Sequence, residues 1–373
     1  MSAVPAMAGT TTPAKPRRVA LPVTRWPTAD QQAWENAQRA GDFLSDDGAA
    51  TQWRPATHKA AIGAYGRWLA FLDDHGLLDG QAGPTGHLNP ASLRAYVGFL
   101  HDKVSSQTIA SYIGVLSMMV QALTPGTDWR WLLEVQSRLQ RRASPSRNKR
   151  IRIVPIRELM QLGADLMVRA ENSTADHPFQ AAQDYRDGFM IVLLASCPLR
   201  QRNFVGIEIG RHVVPCGKGY ILVFPASETK AARPLEFAFP LHLLPMLKRY
   251  LAQYRPYLLA LRTTRGHTRQ ASLANPGSRL WITQYGTAFS GCAQYKALCK
   301  RTAERFGHKV NPHLFRDCAA TSVAIDTPDH VGICAQILGH TGLQSAERYY
   351  IAAGAKIANN AYQQAIMAIR GKK

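Results

Sequence analysis

His313-Leu314-Phe315-Arg316 is followed by Leu338-Gly339-His340 and, nine residues beyond that histidine, by Tyr349. One helical turn separates His313 from Arg316, so a helix there presents both on one face. Nearer the N-terminus, Pro198-Leu199-Arg200-Gln201-Arg202-Asn203 closes an apolar helical run. Between two strand-like runs lies Ser227-Glu228-Thr229-Lys230-Ala231-Ala232-Arg233. Together the four segments supply four arginines (Arg200, Arg202, Arg233 and Arg316), a lysine, two histidines and a tyrosine.

Cutting a phosphodiester makes use of just such a set. Negative charge builds on the non-bridging oxygens in the transition state, and arginines can meet it with paired hydrogen bonds. A nucleophile must attack phosphorus, and a donor must protonate the departing oxygen. Metal enzymes answer the charge with divalent ions held by carboxylates. Only 25 of the 373 residues are Asp or Glu, and none of the four segments clusters them. The pattern therefore points to chemistry without metal, with Tyr349 as the side-chain nucleophile. The adjacent Tyr350 would point elsewhere from a helix. Arg202 competes with Arg200, and Lys218 and Arg233 compete with Lys230.

In this order and at these spacings, the residues resemble the tyrosine recombinase/phage integrase family of site-specific recombinases over roughly residues 55–370. The resemblance implies a mainly α protein with a small β-sheet or hairpin: a helical core-binding domain followed by a mixed α+β catalytic domain. It implies that Arg200 and Arg316 clamp the scissile phosphate and that Tyr349 forms a 3′-phosphotyrosyl link. Lys230 would protonate the leaving 5′-oxygen, His313 would assist proton transfer with the nucleophile, and His340 would hydrogen-bond the phosphate. Rejoining would need no ATP, and no cofactor is implied. The implied partner is double-stranded DNA with specific recombination sites. A homotetramer would assemble on it, with accessory DNA-bending proteins as further candidates. Two other classes share the fold or the chemistry: a DNA-binding regulator without catalysis, and a type IB topoisomerase-like relaxing enzyme. The chain departs from the family's usual pattern at Pro198, where Gly often stands, at Asn203, where an acid often follows the first arginine, and at Asp317.

Length predicts two domains. Residues 1–50 carry Pro5, Pro13, Pro16, Pro22 and Pro27 with no lasting apolar period, and are expected to form a flexible arm. A short helix around Asp30–Phe43 is compatible with that, and Arg17 and Arg18 are either DNA contacts or solvated. Residues 51–150 are read as the helical domain with a basic linker, and 151–373 as the catalytic domain. In the helical domain Ile62, Tyr65, Trp68, Leu69 and Leu72 recur at steps of three and four. Further helices begin at Pro90 and at Ser105 or Ser106, and a fourth spans Trp129–Leu139. Residues 138–152 hold seven basic residues and no acid. Within and beside helix breakers, Arg141, Arg142, Arg147, Lys149, Arg150 and Arg152 are candidate phosphate contacts. Beyond them, helical patterns cover Tyr185–Cys197, Leu243–Leu261, Tyr285–Phe306, Phe315–Ala324, Ala335–Leu338 and Ile351–Arg370. Residues 219–239 read as a hairpin.

Lys plus Arg number 45, giving a formal net charge of +20. The excess disfavours acid-rich classes such as calcium buffers and favours a polyanionic partner. No apolar run is long enough to span a membrane, and the N-terminus lacks the apolar stretch of a signal peptide. Six scattered cysteines without metal-ligand spacing suggest reduced thiols in a cytoplasmic protein with no metal site.

Overall fold

The computed structural model describes residues 19–144, 149–173, 175–230, 232–264 and 276–326. The chain divides into two compact units, Met1–Asn148 and Lys149–Lys373.

Among the described residues of the first unit six helices follow one another: α1 (Thr28–Gln38), α2 (Pro55–Asp74), α3 (Gly83–His87), α4 (Pro90–His101), α5 (Ser106–Leu123) and α6 (Arg130–Arg142). The apolar period of α2 is the core seam. Tyr65, Trp68 and Leu69 are fully buried against Tyr96 of α4 and Ile109, Ile113 and Leu116 of α5. Local chemistry starts two helices where the sequence predicts. Asn89 caps α4 in a reciprocal capping box with Ser92, with Pro90 at the first helical position. Ser105 caps α5 through the amide of Thr108 at 3.3 Å.

The expected arm over residues 1–50 is corrected from residue 19 onward. Leu21, Trp26, Trp34, Ala37 and Ala50 belong to the core of this unit. The Leu21 amide donates to the Gly66 carbonyl at 2.9 Å. A Cβ on Gly66 would lie 2.4 Å from the Leu21 carbonyl oxygen, so glycine is what allows the segment to lie along α2. Tyr65 donates a short hydrogen bond to Asp30 of α1, which is itself fully buried. The prolines stop long helices but leave two tryptophans free to insert. The basic run also differs from its reading as linker: α6 continues through Arg142, so Arg138, Arg141 and Arg142 are helical. Residues 1–18 and 145–148 lie outside the described residues.

The second unit opens with α7 (Ile156–Ser173) and α8 (Pro178–Ser196), an antiparallel pair. α9 (Gln201–Val205) leads to three strands, β1 (Val213–Cys216), β2 (Gly219–Phe224) and β3 (Leu235–Ala238). Then come α10 (Leu244–Arg249), a π turn over Tyr250–Tyr254, α11 (Arg255–Thr264), α12 (Gly291–Phe306) and α13 (Pro312–Asp326). The sheet is antiparallel in the order β1-β2-β3, with Val213 opposite Leu222 and Leu222 opposite Phe237. The sequence predicts only the β2–β3 hairpin. β1 escapes because Pro215 argues against a strand, yet it lies at the sheet edge, where a missing N–H is tolerated. Phe189 and Phe204 pack on Trp281 within a core that also takes Leu222 and Phe224 of β2. The regions Ala335–Leu338 and Ile351–Arg370 lie outside the described residues.

α7 and α8 approach through facing glycines. A Cβ on Gly163 would sit 2.7 Å from the Gly188 carbonyl oxygen and 2.4 Å from a Val192 methyl. Gly163→Ala should therefore destabilise this unit by about 1–3 kcal/mol through overpacking. The check is the urea midpoint of its unfolding, and an unchanged midpoint would show that the helices can part freely.

Candidate active site

α8 ends at a sharp bend. The Cys197 amide donates to the Leu193 carbonyl, and the Leu199 amide donates to the Cys197 carbonyl, each at 2.7 Å. Cys197 and Leu199 are buried, and burial pushes the Cys197 thiol up to about 12. Arg200 follows as the half-buried residue just before α9. Its carbonyl accepts from the Phe204 amide at 2.9 Å, and Phe204 stacks on Trp281 with ring centres 5.0 Å apart. Two apolar anchors thus flank Arg200 and fix where its guanidinium leaves the backbone. Gln201, beside it, donates to the Gly291 carbonyl at 2.7 Å.

α13 presents the second pair. Asn311, immediately before Pro312, caps the helix by accepting from the Leu314 amide at 3.0 Å. This leaves His313 open to solvent while Leu314, Phe315 and Cys318 enter the core. Arg316 lies one turn beyond His313 and is only 6% exposed. Its Nη1 donates a short hydrogen bond to the Pro198 carbonyl in the bend ahead of Arg200. The start of this unit is tied to the same helix, since the Ile156 amide donates to Ser322 Oγ at 2.9 Å.

Electrostatics joins these groups. Although the ring of His313 is solvent-accessible, the protein mass around it desolvates the imidazolium and lowers its pKa. Asp317 works in the opposite direction, and the cations Lys149, Arg316 and Arg200 lower it further. The charges of Arg316 on the same helix and of Arg200 from a separate segment both act on His313. Lys149 Nζ lies 3.9 Å from Asp317 Oδ2, which brings a residue read as linker to the edge of this cluster.

Lys230 stands exposed in the β2–β3 connection. Asn203 of α9 reaches this connection, its Nδ2 donating to the Glu228 carbonyl at 3.2 Å. His340 and Tyr349 lie outside the described residues, as do Arg147 and the side chain of Arg150. Of the other basic candidates, Arg141 and Arg142 are exposed on the last turn of α6, and Arg152 donates to the Lys309 carbonyl. Glu228 and His212, which support the lysine loop, carried no signal in the sequence: neither sits in a recognisable spacing. Among the described residues, no three or more His, Cys, Asp or Glu side chains converge on a point that could hold a metal ion. Nor is any described helix long and apolar enough to cross a membrane. Cys197, Cys299 and Cys318 are buried free thiols, and Cys216 and Cys292 are exposed free thiols.

A helical unit followed by a helical unit with a small antiparallel sheet has the fold of the tyrosine recombinases. Among solved structures, the XerH site-specific recombinase bound to palindromic difH substrate, a post-cleavage complex, matches with a TM-score of 0.51. The identity is 13%, over 79% of this chain and 75% of that one. The XerH pre-cleavage complex with difH substrate gives 0.49 at 14% identity, over 79% of this chain and 76% of that one. The XerA recombinase gives 0.35 at 16% identity, over 84% and 94%. At these identities the likeness is one of fold. No family model matches the sequence, and no curated protein matches it.

Proposed function

We propose that this chain is a site-specific DNA recombinase of the tyrosine type, cleaving and rejoining strands without metal or ATP. The observation that carries the reading is the convergence of Arg200, His313 and Arg316 on one electrostatic site. Two guanidiniums beside an imidazole suit a phosphate in which negative charge is growing. In this reading the Tyr349 phenol oxygen bonds to phosphorus as the bond to the 5′-oxygen breaks. The phenolic proton passes to His313, and the 5′-oxygen keeps the electron pair and takes a proton from Lys230. His340 holds a non-bridging oxygen. The reverse attack by a 5′-hydroxyl of a second strand restores Tyr349 and the backbone.

The wider reading has the protein act in the cytoplasm as a homotetramer on two DNA sites. Accessory DNA-bending proteins would assist, and the biological setting would be DNA integration by a mobile element. Arg141, Arg142, Arg147, Lys149, Arg150 and Arg152 would contribute phosphate contacts, which hold register without reading sequence. The fold likeness to a DNA-bound recombinase supports a DNA partner.

The test is a nicked duplex carrying the site that this chain selects from a randomised duplex library, incubated in EDTA. Wild type should form a covalent adduct and Tyr349→Phe should not, while Tyr350→Phe should retain it. No wild-type adduct would favour the regulator class, and relaxation of arbitrary supercoiled DNA would favour the topoisomerase-like class. An adduct lost only in Tyr350→Phe would move the nucleophile.

The pH profile gives a further expectation. With its pKa below the ordinary 6.5, His313 is neutral and able to accept a proton at neutral pH. Single-turnover cleavage should therefore hold as pH falls to about 6.5 and decline only on the acid side of it. An acid limb above that value, removed in His313→Gln, would contradict the assigned direction.

A further inference from the structure

The β2–β3 connection that carries Lys230 is held at several points, although the lysine itself is exposed. On the near side is Glu228. Its main-chain carbonyl accepts from Asn203 Nδ2 at 3.2 Å, and its Oε2 lies 2.8 Å from Nε2 of His212. His212 is 2% exposed and stacks on Phe224, the last residue of β2, with ring centres 5.1 Å apart. The Nδ1 of His212 accepts from the Glu208 amide at 3.0 Å, so in the neutral ring the proton resides on Nε2 and is donated to Glu228. Arg211 completes the set with a short ion pair to Glu228 Oε1. On the far side, Thr229 Oγ1 donates to the Arg233 carbonyl at 2.6 Å and accepts from the Arg233 amide at 3.1 Å. Ala232 takes a left-handed backbone with φ of 51°, a conformation that persists only where surrounding contacts enforce it.

Asn203 is the link that matters. It lies three residues after Arg200 on α9 and is 6% exposed. Its partner is a carbonyl oxygen, so the contact needs a donor, which the amide nitrogen supplies. A carboxylate at 203 would turn an acceptor toward an acceptor.

We infer that Asn203 is a positioning residue for proton donation: by holding the main chain at Glu228 it sets the Lys230 loop at a fixed place relative to Arg200. The Glu228–His212 pair is the second support of the same loop. The inference rests on the reading of Lys230 as the donor to the leaving 5′-oxygen. In that step the phosphorus–oxygen bond breaks, the oxygen keeps the electron pair, and the lysine ammonium gives it a proton. A bridging sulfur in place of that oxygen leaves as a thiolate and needs no proton, since thiols ionise near about 8.5. Loss of the donor's placement must then slow the oxygen substrate selectively.

The experiment compares single-turnover adduct formation on the selected nicked duplex with oxygen or sulfur bridging at the mapped scissile phosphate. Asn203→Asp should slow the oxygen substrate by about tenfold to a hundredfold, yet stay within about threefold of wild type on sulfur. Glu228→Gln should show a smaller loss with the same rescue. Lys230→Ala calibrates selective rescue, and Arg200→Ala should be slow on both substrates. Equal slowing of Asn203→Asp on both, or no slowing, overturns the inference while Lys230→Ala is still rescued. If Lys230→Ala is not rescued, the assignment of the donor fails, and with it the inference. A wild type without adduct on either substrate overturns the recombinase reading itself. Because the sulfur substrate reports on the same preparation of each variant, a misfolded variant cannot mimic the expected pattern.

Discussion

Arg316→Lys should lower the single-turnover cleavage rate by about a hundredfold, while affinity for the selected DNA changes little. The reason is geometric. One Nη of Arg316 is committed to the Pro198 carbonyl in the bend before Arg200, and the guanidinium is almost wholly buried. A guanidinium can satisfy that carbonyl with one edge and offer the rest of its fork to a phosphate oxygen. A lysine ammonium is a single point and must choose. If it pairs with the carbonyl, the growing charge on phosphorus loses a donor. If it turns to the phosphate, the bend loses the contact that ties it to α13. Filter binding and adduct formation on one preparation separate the two effects. A variant that cleaves at the wild-type rate would show that Arg316 supports the bend and nothing else.

The largest loss of stability is expected from Asp187→Ala. Its carboxylate accepts from Arg186 at 2.7 Å and from Arg301 at 2.9 Å, and all three side chains are about 5% exposed or less. Arg301 also reaches Asp184 at 2.6 Å, and Arg169 reaches the same Asp184 at 2.8 Å. Removing Asp187 leaves Arg186 with no carboxylate partner in this network and Arg301 with one fewer. Each of those buried cations then bears its desolvation cost. Breaking a buried ion pair from one side costs about 3–5 kcal/mol. The urea transition of the second unit should shift accordingly, and a shift no larger than that of a surface substitution would show that water reaches the pair. The network joins α7, α8 and α12, and α8 leads directly into the bend that carries Arg200. The same substitution should therefore reduce cleavage at temperatures where the unit begins to unfold.

The residues of that network illustrate where the sequence stops being legible. Asp184, Arg186 and Asp187 stand at the start of an apolar helical run, where charge ordinarily marks the surface. Only the docking of α12 encloses them, and no local pattern announces a contact with Arg301 more than a hundred residues away. Where local chemistry governs, the sequence is directly legible. Steps of three and four along α2 gave the seam of the first unit, and Asn89, Pro90 and Ser105 marked helix starts. His313 and Arg316 followed from one turn of helix. β1 has no such local mark: the cost of Pro215 depends on whether its strand is at the edge or the centre of a sheet, which is a property of topology. Asn203 was visible as a departure from the usual acid, but its reason was not. It lies in the carbonyl of Glu228, brought near by folding.

The segment from Leu21 to Ala50 has a practical side. Trp26 and Trp34 are each 3% exposed, and Trp26 meets Tyr65 edge to face at 5.0 Å. A recombinant version trimmed to begin at residue 51 would keep every helix of the apolar seam yet strip its aromatic cover. The freed face would be sticky, and the product would tend to precipitate when purified. A truncation that stops short of Leu21 leaves all of these side chains in place.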